Sequence, residues 1–303
     1  MTASATRAAL ASVGVATLLL LVKGVAAYRT GSVAMLGSVA DTGLDLLASL
    51  VTLWGVRVAA TPADDDHRFG HGKAEALAAL FQVMVISASA AAIAWEAVAR
   101  IGHPAPTAAG EYGICASILA IALTGALIAY QRRVIASTGS VAITADSIHY
   151  SSDLLLNGAV IVALLLDQWL GLHGADPLFG VLIALWLAYG AWRAANHAID
   201  QLMDKEWPAA ERDRLIALAA DHPELRGLHD IRTRRSGNRD FVQFHMAVDP
   251  EMPVAAAHLA MDEVEERIHA AFPNVEVLIH LDPGWRLDAK HPLIETDLAD
   301  NQP

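Results

Sequence analysis

The chain has 303 residues, enough for two ordinary domains, but its composition excludes a single soluble globule. Hydrophobic residues make up 54% of it and charged residues only 18%, whereas soluble domains average about 25% charged. The net charge of −12 argues against a nucleic-acid partner, and the single cysteine, Cys115, excludes a disulfide framework and any multi-cysteine metal site. Because 20 of the 33 acidic residues follow residue 200, the pattern indicates a membrane domain followed by an acidic soluble domain.

Six apolar segments are long enough to cross a bilayer as helices, which takes about 20 residues each. They cover approximately 8–28, 32–58, 75–99, 113–131, 141–170 and 177–200. The first follows Arg7 as a signal peptide would, but five more spans follow, so we expect a retained helix. Lys and Arg in the short loops favour the side of the two termini by six to two, which predicts cytoplasmic termini. We therefore predict an all-α six-helix bundle over 1–207, in the inner membrane.

The segment after Pro208 has the pattern of a small α+β domain over 208–287. Helical and strand patterns alternate in the order αββαβ, at 208–221, 228–234, 240–248, 253–271 and 275–280. This order predicts a cytosolic domain with helices on one face of a sheet. The remaining residues, 288–303, have no pattern, and we expect them to be disordered.

Acidic residues inside two spans indicate a binding site, because a charge at the centre of a membrane helix costs roughly 2.5–3.5 kcal/mol. Asp41 and Asp45 in the second span, and His149 and Asp153 in the fifth, are each four residues apart and share a helix face. Three carboxylates and one imidazole can form a tetrahedral site for Zn²⁺, Fe²⁺ or Cd²⁺. The alternative is that these groups only join helices by hydrogen bonds. Two stacked carboxylates would then need a lysine or arginine nearby, and the only candidate, Lys23, lies near the far end of the first span.

Two further acids in the spans, Glu96 and Asp146, are expected to be solvated or to lie at the mouth of a pore. The loop after the second span contains Asp64, His67 and His71, whose spacing could hold a divalent cation or could belong to a solvated polar loop. The glycines around His71 do not form a phosphate-binding loop, because the required first glycine and the Ser or Thr after the lysine are missing. No nucleotide site is visible, which argues against an ATP-driven pump.

Residues 201–303 contain seven of the 13 histidines. His229 and His245 are on neighbouring predicted strands, His280 and Asp282 share one face at the end of the third, and His258 is on the second helix. Such a cluster could bind one or two metal ions, although each histidine alone is more often a surface residue. We find no evident partner for His222, His269 or His291.

Several runs of residues, in order along the chain, resemble the cation diffusion facilitator family, and within it the bacterial ferrous-iron/zinc efflux pumps. They are S-x-x-D-x-x-x-D at Ser38–Asp45, D-D-x-H-x-F-G-H-G-K-A-E at Asp64–Glu75, H-Y-x-S-D at His149–Asp153, H-D-x-R-T at His229–Thr233 and H-x-D-P at His280–Pro283. The resemblance covers about residues 8–285.

The resemblance implies a homodimeric, proton-coupled exporter of divalent metal ions. It implies a transport site made by Asp41, Asp45, His149 and Asp153, and a loop site made by Asp64, His67 and His71. It also implies a two-metal cytosolic site made by His229, His245, His258 and His280, with Asp282 bridging. Lys73 and Asp204 match a charge pair that interlocks the dimer in relatives, and Ile148 matches a hydrophobic gate. The signature leaves zinc against iron open. A metal sensor without transport and an intramembrane metalloenzyme are the alternatives.

Overall fold

The computed structural model describes residues 2–30, 33–100, 111–170 and 175–284. The chain divides into two compact units, the first ending at Ile199 and the second beginning at Asp200. The predicted disordered tail over 288–303 lies outside the described residues.

The first unit consists of long helices. They are α1 (Thr2–Thr30), α2 (Val33–Ala59), α3 (Ala74–Arg100), α4 (Glu111–Thr138), α5 (Val141–Leu170) and α6 (Ala175–Leu202). Within the described residues, five of them are long and apolar enough to cross a membrane, and α5 is not among the five. The first half of α5 carries Asp146, His149 and Asp153 among its apolar residues. The protein is therefore a multi-pass membrane protein, and whether α5 also crosses the bilayer stays a prediction.

Helix α1 packs on α2 and α4, and α5 packs on α3 and α4, with a further contact to α2. Small side chains let these helices approach closely. Ala5, Ala8 and Ala9 of α1 are buried. A Cβ atom at Gly55 of α2 would lie only 2.3 Å from the Cβ of Ala78 on α3, so this crossing requires a glycine.

Helix α6 packs on α3 through Ile183, Leu187 and Ala191, which contact Ile86 and Ala90. The hydrophobic residue before His149, Ile148, also packs against this cluster. It anchors the first half of α5 to the α3–α6 pair.

The second unit contains α7 (Ala209–Ala220), β1 (Arg226–Ser236), β2 (Arg239–Val248), α8 (Val254–Ala271) and β3 (Val275–Pro283). The strands form a sheet in the order β1-β2-β3, in which β1 is antiparallel to β2 and β2 is parallel to β3. Its core is built by alternate strand residues, Phe244 and Met246 among them, against Leu215 of α7 and Val264 of α8.

The register of this sheet places three histidines side by side. His229 of β1 pairs with His245 of β2, and His245 pairs with His280 of β3. Strand β1 is irregular on both sides of His229, and Asp230 has the left-handed φ of 49°. The strands therefore align three potential metal ligands in one row across the sheet.

Candidate metal centres

The first centre lies inside the helical unit. Oxygen atoms of Asp45 and Asp153 and a ring nitrogen of His149 all lie within 4.8 Å of one another. The Nε2 atom of His149 is 2.9 Å from Oδ1 of Asp45. His149 is only 2% exposed, and its Nδ1 atom is buried without a hydrogen-bond partner. The structure therefore brings two acids and an imidazole from α2 and α5 close enough together that they could hold a metal ion.

Polar contacts fix the two helices that supply these ligands. The hydroxyl of Tyr150, the residue after His149, lies 2.8 Å from the hydroxyl of Ser49 on α2. The same hydroxyl donates to the backbone oxygen of Ser12 at 3.2 Å, which adds α1. Ser49 follows Asp45 by one helical turn, so this contact sets the height of Asp45 against His149.

The fourth predicted ligand, Asp41, is exposed on α2 and is not part of this group. It precedes Asp45 by four residues, which is about 6 Å along a helix axis. Lys23, the cation considered as a partner of these acids, donates to the hydroxyl of Thr42 at 2.7 Å.

The prediction that Asp146 is solvated or lies at a pore mouth is wrong, because this residue is 0% exposed. Its carboxylate accepts hydrogen bonds from Ser12 Oγ at 2.6 Å, Gln82 Nε2 at 2.8 Å and Gln131 Nε2 at 2.8 Å. These donors belong to α1, α3 and α4. The signal in the sequence was the presence of Gln82 and Gln131 inside apolar spans, where polar side chains need partners.

The second centre lies in the loop between α2 and α3. Asp64 Oδ1 is 3.3 Å from Nδ1 of His67, and Asp64 Oδ2 is 3.3 Å from Nε2 of His71. The backbone N–H groups of His67 and Asp66 also donate to Asp64. The hydrogen bond from His67 is the main reason that the pKa of Asp64 is lowered, and the nearby histidines lower it further, so the carboxylate is ionised at neutral pH. Gly70, at a φ of 79°, makes the turn that returns His71 to Asp64.

The third centre lies on the sheet of the second unit. Asp282 Oδ2 is 3.2 Å from Nε2 of His229 and 3.1 Å from Nδ1 of His245. The rings of His245 and His280 are 4.5 Å apart, and the exposed His280 lies 3.7 Å from the other oxygen of Asp282. Asp230, which the sequence reasoning missed, lies 3.7 Å from Nε2 of His245. One carboxylate thus faces two imidazoles, with a third beside it.

His258, the other predicted member of this cluster, lies on α8 and is exposed. Its Nδ1 atom is 3.2 Å from Oδ1 of Asp262, one turn further along the helix. A hydrogen bond to its own backbone and the charge of Asp262 raise the pKa of His258. It is not within the group formed by His229, His245 and Asp282.

The structure also gives hydrogen-bond partners to two other residues singled out in the sequence, His222 and Asp204. His222 has partners after all, because its Nδ1 atom accepts from the backbone of Glu224 and Leu225 and its Nε2 atom lies 3.3 Å from Glu263. Within the second unit, Asp204 accepts a hydrogen bond from Nη1 of Arg234 at 3.4 Å.

Comparison with known proteins identifies the family of both parts of the chain. Residues 9–203 match the cation efflux transmembrane domain, and residues 207–284 match the cytoplasmic domain of cation efflux proteins. The cation-efflux pump FieF of Cronobacter sakazakii is 44% identical over 91% of this chain and 92% of that protein. The pump of the same name from Escherichia coli O127:H6 is 42% identical over the same shares.

A crystal structure of the cytosolic domain of a cation diffusion facilitator family protein is 27% identical, over 24% of this chain and 89% of that one, with a TM-score of 0.23. The family assignment rests on the domain matches and on the relatives matched over nearly their whole length. The chain belongs to the cation diffusion facilitator family, whose members are cation-efflux transporters and not enzymes.

Proposed function

We propose that this transporter exports Zn²⁺ and related divalent cations, Fe²⁺ and Cd²⁺ among them, from the cytoplasm in exchange for protons. The observation that carries the proposal is the group made by Asp45, His149 and Asp153, where two carboxylates and one imidazole meet in an apolar bundle. Buried carboxylates repel each other, and a divalent cation would compensate that charge. A mixed oxygen and nitrogen donor set suits zinc and its neighbours better than it suits calcium or magnesium.

Asp41 is the proposed fourth ligand. It lies on the same helix as Asp45, one turn away, and is exposed. A shift of α2 along α5, or a different side-chain rotamer, would be needed to bring its carboxylate to the other three ligands. Four protein ligands would close the site, whereas three leave a position for water. A change from four protein ligands to three would let the site bind the cargo and then release it.

Protons compete with the cargo for the same atoms. Metal binding needs a free lone pair on His149 and ionised carboxylates on Asp45 and Asp153, so bound metal displaces protons. A site that faces the cytoplasm would release protons and take up metal, and a more acidic exterior would reverse this exchange. The result would be antiport.

The two other centres are proposed to bind metal on the cytoplasmic side, where both termini would lie. Asp64, His67 and His71 would bind one ion in the loop. His229, His245, His280 and Asp282 would bind up to two ions on the sheet, with Asp282 bridging and His258 contributing after a change of position. The second unit, over about 208–287, would form the homodimer contact, and metal there would reduce repulsion between two acidic copies.

The test uses proteoliposomes with a pH-sensitive dye inside and Zn²⁺ outside. We expect zinc entry to drive proton exit, and an interior made more acidic than the exterior to accelerate zinc uptake. Zinc flux that is unchanged by a pH gradient of either sign would indicate facilitated diffusion and not proton antiport. Zinc binding without flux would leave the alternative of a membrane metal sensor.

A further inference from the structure

The strongest unassigned feature is the fully buried carboxylate of Asp146. It lies on α5 three residues before His149, but it is not one of the metal ligands. The two residues share no hydrogen bond, because His149 uses Nε2 for Asp45 and its Nδ1 atom has no partner. A buried acid outside the cargo site needs its own explanation, since ionisable groups in membrane helices are costly and usually functional.

Among the residues that the structure describes, three neutral donors and no cation hold this carboxylate. Ser12 and Gln131 donate to Oδ2, and Gln82 donates to Oδ1. Gln82 also reaches Thr52 of α2 at 3.2 Å, and Gln131 reaches Ser12 at 3.0 Å. The cluster therefore joins five helices around one acid. Neutral donors stabilise the ionised carboxylate, but a paired lysine or arginine would hold it ionised more strongly.

The hydrogen bonds that the two glutamines make, and the ones they lack, indicate that Asp146 can bind a proton. Each amide gives its nitrogen to Asp146, and each leaves its Oε1 atom buried with no partner. A buried acceptor without a donor is unfavourable. If Asp146 gains a proton, a half-turn of one amide presents Oε1 to the new O–H group, so that this oxygen gains a donor while the amide nitrogen gives up its bond to Asp146. The same side chains can therefore serve both the acid and its conjugate base.

Within the described parts of the surrounding helices, the charged groups form no salt bridge with this acid. Ser12, Thr52, Gln82 and Gln131, which face it from α1 to α4, do not titrate near neutral pH. On α5 itself the titratable neighbours are His149 and Tyr150, whose hydroxyl bonds to the backbone of Ser12. Lys23 of α1 donates to Thr42, and Glu75 of α3 accepts from Ser140. The remaining arginines near these segments are exposed: Arg7, Arg57, Arg132 and Arg133.

We propose that Asp146 is a proton-binding site of the membrane unit, separate from the metal ligands, in which the amides of Gln82 and Gln131 accommodate both protonation states. An ionised Asp146, one turn from His149, favours a cation at the neighbouring site, and a protonated one favours it less. Only this consequence rests on the proposed transport function. The proton site itself is tested without transport.

The experiment is infrared spectroscopy on the full chain in lipid nanodiscs, saturated with Zn²⁺ so that the metal ligands are occupied. Between about pH 5.5 and 8, exposed carboxylates are ionised. We expect the carbonyl band of a protonated carboxyl group to grow as the pH falls in the parent and to be missing in Asp146→Asn. Glu75→Gln removes the other buried carboxylate of this region, which accepts from Ser140 at 2.6 Å, and is the matched control that must keep the band.

Ser12→Ala is the second variant, and it decides the matter if Asp146→Asn does not fold. It removes one donor to the ionised form, so the pH of half-protonation rises by on the order of one unit. No band in the parent at any pH at which it stays folded would overturn the proposal. So would a band that persists in Asp146→Asn, or one whose midpoint is the same in Ser12→Ala.

Discussion

Replacing Asp45 with alanine separates the two roles of this side chain, in folding and in metal binding. The folded state loses the 2.9 Å hydrogen bond to His149 and leaves a buried imidazole with no partner on either nitrogen. That loss costs about 1–3 kcal/mol, a minor part of the roughly 5–15 kcal/mol that stabilises a folded protein. The metal site loses far more. Zinc in a four-ligand site binds with about 10–16 kcal/mol, or roughly 2.5–4 kcal/mol for each ligand. We therefore expect zinc affinity to fall by about 10²–10³-fold.

Three measurements on Asp45→Ala check this reasoning. Thermal unfolding reports the fold, calorimetric titration reports zinc affinity, and proteoliposome flux at fixed low zinc reports transport. Asp65→Ala is the matched control, because Asp65 is an exposed acid whose partner is Arg68 and which belongs to none of the three centres. Zinc flux in Asp45→Ala within twofold of the control would refute the assignment of Asp45 as a ligand, and a collapsed fold would refute the estimate of its structural cost.

Three other variants test separate parts of the structure. His149→Asp makes the donor set all oxygen, so the ratio of Zn²⁺ to Mn²⁺ flux should fall; an unchanged ratio in a competition assay would count against His149 as a ligand. Asp282→Ala removes the carboxylate between two imidazoles of the sheet. The distance between labels on the two copies of the second unit in the dimer should then stop responding to Zn²⁺. An unaltered response would exclude a link between metal binding at Asp282 and the approach of the two copies. Gly55→Ala should lower thermal stability by about 1–3 kcal/mol through a clash with α3, whereas Gly43→Ala, with open space at its Cβ, should not; equal effects would refute the close packing.

The centres that the sequence predicted best are those built by short spacings. His149 and Asp153 share a helix face because they are four residues apart, and Asp64, His67 and His71 meet because a glycine turn closes a short loop. Spacing along one element constrains geometry directly. It does not say how far a neighbouring helix is shifted, which is why the structure groups Asp45 with α5 and leaves Asp41 exposed.

Residues whose partners are distant in the chain could not be assigned in this way. Asp146 was expected to be solvated, but its three donors are 15, 64 and 134 residues away on other helices. Sequence reasoning assigns an acid to solvent when no residue close to it along the chain can pair with it. Only the packing of α1, α3 and α4 around α5 brings those donors to it.

The sheet cluster shows an intermediate case. Alternation along β3 placed His280 and Asp282 on one face, as expected. The juxtaposition of His229 with His245 depends on the strand register, and β1 is irregular on both sides of that pair. A shift of one residue would turn the histidine to the opposite face of the sheet. His258 lies on α8, where its one-turn neighbour Asp262 is the partner that spacing alone would predict.

Helix α5 carries polar side chains that an isolated helix in a bilayer would not tolerate. It is 30 residues long, and Asp146, His149, Tyr150 and Asp153 all lie in its first half. Its polar side chains are satisfied by the other helices: Asp146 by three donors, His149 by Asp45, and Tyr150 by Ser49. Such a helix is stable in a membrane only within its bundle, because alone it would expose those groups to lipid. The partners that make α5 tolerable in the bilayer also hold His149 beside Asp45, so the same packing sets the geometry of the proposed cargo site.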